Sequence, residues 1–169
     1  MCPSAYPHQV ENISVIETHI SWILLTGKYA YKIKKPIKTE ILDASSLRKR
    51  IHFCNEEIRL NKRLAPEIYI GVSNINGTAD NAKISSTASQ YSYSKNLVEV
   101  AVKMHQFSQD CLLSRKLQGD HLSNIALNNL ANKVALFHEN ALIATEESSF
   151  GNLVEIKKPV EENIDILEK

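Results

Sequence analysis

The chain has 169 residues, 43% of them hydrophobic and 23% charged, which places it among globular chains of one domain, or one and a fragment, and argues against disorder. Twenty Lys plus Arg against 19 Asp plus Glu leave a formal charge of +1, so there is no whole-protein field of the kind a dedicated nucleic-acid binder carries, and nucleic acid is not an expected partner. No apolar run approaches the roughly 20 residues of a bilayer span, and three scattered cysteines (Cys2, Cys54, Cys111) lack the pairing of a disulfide framework or a structural zinc site.

The first ten residues contain Pro3, Pro7 and His8 and show no charged-then-apolar leader pattern, so a soluble cytoplasmic protein, away from membranes, is expected. Strand signals follow. Val15-Ile16-Glu17-Thr18 and Ser21-Trp22-Ile23-Leu24-Leu25 are β-prone runs, Thr26-Gly27-Lys28 is a turn, and residues 29–34 alternate. Tyr29, Tyr31 and Ile33 take one face of that segment, and Ala30, Lys32 and Lys34 the other. Pro36 ends it, and a three-stranded antiparallel meander is the expected local structure.

A helix comes next. Asp43 is the expected cap, and Leu47, Ile51, Cys54, Ile58 and Ala65 lay one apolar stripe along it as far as Pro66. Residues 67–72 read as a strand. The Ser- and Asn-rich stretch 73–96, with a hairpin signal at Asn76-Gly77, predicts a small extra hairpin or a mobile excursion. Residues 97–104 form the most apolar strand of the chain. Helices are expected over 112–117, 122–141 and 159–168, the last opening with Pro159 in its first turn. This order, three strands, a helix, two strands and then helices alone, is an α+β layout with a five-stranded antiparallel sheet.

One arrangement carries chemistry. Lys32 stands two residues from Ala30 on one face of the third strand. A small residue lets a nucleotide base approach the strand, and the ammonium can reach phosphates if a carboxylate on the following helix holds its flexible stem. At about 100° per residue, Glu56 falls opposite the apolar stripe and meets water, whereas Glu57 falls on its flank, roughly 80° away, and can turn toward the sheet. Lys34 shares the face of Lys32 and is the alternative lysine, as Glu56 is the alternative carboxylate. Where the apolar strand runs into Met104-His105-Gln106-Phe107, the chain crosses toward its helical part, and backbone groups there are placed to read a base edge.

Thr18-His19-Ile20-Ser21-Trp22-Ile23-Leu24-Leu25-Thr26-Gly27, Tyr29-Ala30-Tyr31-Lys32-Ile33-Lys34-Lys35-Pro36, Cys54-Asn55-Glu56-Glu57-Ile58-Arg59-Leu60-Asn61 and Ala101-Val102-Lys103-Met104 resemble the opening of bacterial aminoglycoside phosphotransferase-like proteins. The resemblance is to a subfamily often fused to a P-loop ATPase domain. It implies a protein-kinase-like fold: a nucleotide lobe over residues 1–104, then a hinge and an incomplete helical lobe over 105–169. It also implies ATP with Mg²⁺ as cofactors and transfer of the γ-phosphoryl group to a small-molecule hydroxyl. By that resemblance Lys32 is the phosphate-binding lysine, Glu57 its helix partner, and Met104, His105 and Gln106 belong to the hinge.

Two departures qualify the expected activity. No glycine-rich loop joins the first two strands, so a phosphate cradle there would use backbone N–H groups and the hydroxyls of Thr18 and Ser21. The His-x-Asp catalytic run and the later metal-binding Asp are expected beyond residue 169, and Asp120-His121 does not supply them. The expected chain is therefore a nucleotide-binding part that is inactive alone. The alternative is a non-catalytic module on the same scaffold that binds a protein partner or the missing part of the helical lobe.

Overall fold

The computed structural model describes residues 2–78, 80–85, 95–119, 122–145, 148 and 150–167; Asp120-His121 and residues 86–94 of the Ser-rich stretch lie outside them. The chain divides into two compact units, Met1–His121 and Leu122–Lys169. The architecture is α+β. In the first unit the elements run β1 (Ser14–Glu17), β2 (Ser21–Leu25), β3 (Tyr29–Lys34), α1 (Leu47–Asn61), β4 (Tyr69–Asn76), β5 (Lys83–Ile84), β6 (Leu97–His105) and α2 (Leu113–Gln118).

The strands form one antiparallel sheet in the order β1-β2-β3-β6-β4-β5. Tight turns make the first three neighbours. Gly27 supplies the positive φ (88°) that the β2–β3 turn needs. Between β1 and β2 the Thr18 hydroxyl both donates to the Ser21 carbonyl and accepts from the Ser21 N–H. The sheet has six strands rather than five. The extra one is the two-residue β5, paired to an extended β4 through Ile75↔Ile84 and Asn76↔Lys83. β4 outruns the expected 67–72 because Ile75 still has a core to enter. Gly77 (φ 113°) turns the chain where an added Cβ would collide with the Asn81 carbonyl.

Strand alternation gives the sheet two differently covered faces. On one, Tyr31, Ile75, Ile84 and Ala101 form a core with Ala5, Tyr6 and Val10 of the N-terminal segment. On the other, Val100 and Val102 pack with Cys54, Ile51 and Ile58 of α1, so the apolar stripe of that helix docks as its spacing predicts. Its cap is corrected. Ser46, not Asp43, accepts from the Lys49 N–H (3.3 Å), while Asp43 is occupied with the Ser45 N–H and hydroxyl. The helix also ends at Asn61, short of Pro66. Leu64 and Ala65 continue it only as a turn onto the Asn61 carbonyl, the residue before a proline being disfavoured in helical geometry.

The second unit holds α3 (Asn124–Glu139) and α4 (Leu153–Leu167). Ser123 caps α3 by accepting from the Ala126 N–H. α4 starts six residues before Pro159, which therefore lies inside it rather than in its first turn. The Asn152 side chain accepts from the Glu155 N–H and fixes the earlier start. Neither helix contains a buried residue. Among the described residues no helix is long and apolar enough to cross a membrane.

Candidate functional site

The site grows from β3 and α1. Because Ala30, Lys32 and Lys34 alternate with Tyr29, Tyr31 and Ile33, both lysines rise from the face that α1 covers. Docking of Ile51, Cys54 and Ile58 turns the flank of the helix over β3, and Glu57 meets both ammoniums. Lys32 Nζ donates to Oε1 at 2.9 Å and Lys34 Nζ to Oε2 at 2.7 Å. The Glu57 side chain is only 10% exposed, against 25% for Lys32 and 13% for Lys34. Burial raises the carboxyl's pKa, but the hydrogen bonds from Lys34 and Lys32 outweigh it and hold the group below its ordinary value. Glu56 points elsewhere and pairs with Arg59 on the exposed side.

A second buried pair anchors the start of α1. Arg50 binds Glu99 of β6 through Nε (2.9 Å) and Nη2 (2.7 Å), and its Nη1 donates to the Ala44 and Ser45 carbonyls. This fork fixes the helix to the sheet about two turns before Glu57. Cys54, packed beneath the charged cluster, has its thiol pushed up to about 12 by burial, which keeps it a hydrophobe rather than a nucleophile.

Beside Lys32 opens a cavity of about 530 Å³. Ile23, Leu25, Ala30 and Lys32 form its sheet wall, Leu64, Ala65, Ile68 and Tyr69 its wall from the α1–β4 connection, and residues 104–107 its back. This is the size and apolar character of a small-ligand site. Two backbone bonds shape the back wall: the His105 N–H donates to the Ile68 carbonyl (2.8 Å) and the Gln106 N–H to the Lys28 carbonyl (3.2 Å). The Gln106 side chain also accepts from the Gly27 N–H at 2.9 Å, tying this segment to the β2–β3 turn.

Of the residues singled out from sequence, Ala30, Lys32, Met104, His105 and Gln106 line this one cavity, and Glu57 is bonded to its lysine. Ser21 is not among the lining residues. It is fully buried opposite Lys34, and its hydroxyl has no partner among the described residues. Sequence reasoning treated Lys32 and Lys34 as alternatives, whereas the structure uses both. It missed the Arg50–Glu99 anchor, whose partners are 49 positions apart and leave no local signal. It also missed the cavity wall at residues 64–69. Among the described residues no group of three or more His, Cys, Asp or Glu side chains is placed to hold a metal ion.

The opposite face of the sheet carries a separate polar cluster. His8 bridges Thr26 Oγ1 (3.1 Å) and the Tyr31 hydroxyl (3.3 Å). Its ring meets Tyr29 edge-on, and Lys103 lies 4.2 Å from the centre of the Tyr29 ring. Burial, then the charges of Lys103 and Lys28, hold the His8 pKa below its ordinary value. Burial pushes the Tyr31 phenol up to about 12.

In comparisons with known proteins, 63 residues of this chain are 38% identical to uncharacterized proteins of Mycobacterium bovis and Mycobacterium tuberculosis. The match covers 37% of this chain, and the chain spans about 13% of the length of those curated relatives. No family model matches the chain, and no solved structure matches it.

Proposed function

We propose that residues 1–121 are the nucleotide-binding part of an aminoglycoside phosphotransferase-like small-molecule kinase, built on a protein-kinase-like nucleotide lobe. One observation carries the reading: Lys32 of the third strand is bonded to Glu57 of the next helix at the edge of a cavity walled by Ala30 and residues 104–107. Protein-kinase sites use this pairing, a strand lysine steadied by a helix glutamate, to hold nucleotide phosphates.

In this reading the adenine enters against Ala30, Ile23 and Tyr69, where apolar walls exclude water. The His105 and Gln106 N–H groups are committed to Ile68 and Lys28. The Phe107 N–H, without a protein partner among the described residues, is the donor left at the back wall to meet the base edge. Glu57 holds the Lys32 stem beside the cavity, from where the ammonium can turn to the phosphates. Bound ATP would supply the phosphoryl group, and magnesium would accompany the triphosphate.

Isothermal titration of Mg-ATP into the full chain and into Lys32→Ala tests the reading. A charge-assisted contact to phosphate is worth about 1.5–3 kcal/mol, so the variant should bind about ten- to a hundredfold more weakly. Absence of binding by the parent chain, or equal binding by the variant, overturns it.

A second reading is favoured by the second unit. Leu127, Leu130 and Leu136 of α3 and Leu153, Val154 and Ile156 of α4 are all exposed, more apolar surface than a solitary helix pair normally leaves to water. On that reading the chain is a non-catalytic module that binds another protein. Light scattering after size exclusion separates the two: a monomer with ATP affinity supports the first, an obligate oligomer without it the second.

A further inference from the structure

The Glu57 carboxylate has a partner on each oxygen, and the two partners differ in position. Lys32 lines the cavity, whereas Lys34, two residues further along the same face of β3, does not. Both ammoniums belong to a cluster that is mostly buried, and their two positive charges face a single negative one. A lone lysine that leaves a buried carboxylate for a ligand strands that carboxylate, which opposes the move. Here Oε2 keeps its 2.7 Å bond to Lys34 when Oε1 loses Lys32, and repulsion between the two ammoniums favours the departure of the one nearer the cavity.

We propose that Lys34 is a positioning residue that holds Glu57 on its own, so that Lys32 is released to grip an anionic phosphate in the cavity. The assignment rests on the nucleotide reading above and extends it. That reading needs one lysine on the glutamate, whereas this site divides the work between two: Lys34 keeps the helix carboxylate in register with β3, and Lys32 serves the ligand.

Two cycles test it with the full chain. In ligand-free protein, urea midpoints of Lys32→Met, Lys34→Met and the double variant are compared. Either lysine alone still covers Glu57, so each single variant should shift the midpoint little, and the double variant should lose clearly more than the sum of the two. Additive losses overturn the proposal whatever nucleotide does.

With Mg-ATP as the probe, Lys34→Met should weaken binding about tenfold in the parent chain but less than about twofold in a Glu57→Gln background, where no buried charge needs holding. An equal fold-loss in both backgrounds means that Lys34 acts on the ligand only as a distant charge, and overturns the positioning role. If the parent chain binds no Mg-ATP while the midpoint cycle is non-additive, the nucleotide reading falls and the shared hold on Glu57 stands. The release of Lys32 to a ligand is then overturned unless inorganic triphosphate reproduces the affinity pattern.

Discussion

The two faces of the sheet are built from the same strands and are covered differently. The face under the N-terminal segment is closed: Tyr31 and Ile75 are fully or almost fully buried there, and His8 is engaged by hydroxyls and rings. The face under α1 is closed only beneath the helix, where Val100, Val102 and Cys54 meet. Beyond the end of α1 it opens into the cavity beside Lys32. Alternating residues of β3 serve both: Tyr31 is part of the packed core, and its neighbour Lys32, mostly buried against Glu57, lines the cavity. Core packing and the proposed phosphate contact are thus separated by a single peptide step, and substitutions one residue apart should report on different properties.

The largest expected effect belongs to the closed face. Ile75→Ala leaves a cavity among Tyr31, Ile84 and Ala101 and should cost about 2–5 kcal/mol in urea unfolding, while nucleotide affinity measured well below the transition stays unchanged. A loss of affinity comparable to that of Lys32→Ala would break the separation of the faces.

Acid unfolding sharpens the comparison. His8 and Glu57 both have folded pKa values below their ordinary ones, which lie at 6.5 and 4.5. In each case the unfolded chain binds the proton more tightly, so the group contributes stability above its ordinary pKa and loses it as pH falls through the folded value. The loss at the N-terminal face should therefore begin below about pH 6.5 and the loss at the α1 face below about 4.5. In a stability–pH profile, His8→Gln should flatten the first limb and Glu57→Gln the second; exchange of the two effects would contradict the assignment.

The smallest effect lies in the second unit. Leu136→Ala on α3, at a position 57% exposed, should change stability by less than about 0.5 kcal/mol. A loss of several times that in the isolated chain would mean that α3 is covered in solution, which would support the interaction reading.

Much of this layout was legible in the sequence because it is written in short-range periods. The alternation of residues 29–34 separated lysines from tyrosines before any contact was known, and the stripe Ile51–Cys54–Ile58 placed Glu57 on the side of α1 that turns to β3 and Glu56 on the side that meets Arg59. What stayed hidden depends on distant partners. The N-terminal residues Ala5, Tyr6 and Val10 look like a tail, yet they join the core with Tyr31, Ile75, Ile84 and Ala101 on one sheet face. Strand β4 runs on to Asn76 because β5 pairs with its end. Lys32 and Lys34 looked like competitors for one role because spacing along a strand cannot reveal that a carboxylate has two oxygens to offer. Residue type alone favours Asp43 as the helix cap; Ser46 holds that position, and Asp43 is satisfied by Ser45.

The most direct test of the central claim, that the α1 face binds nucleotide through Lys32 while the opposite face supplies stability, is one pair of calorimetric titrations with Mg-ATP, on Lys32→Ala and on Ile75→Ala. Affinity should fall about ten- to a hundredfold, or binding be lost, in the first and be kept in the second. Undiminished binding by Lys32→Ala, beside a parent chain that binds, would place the nucleotide elsewhere and contradict the account.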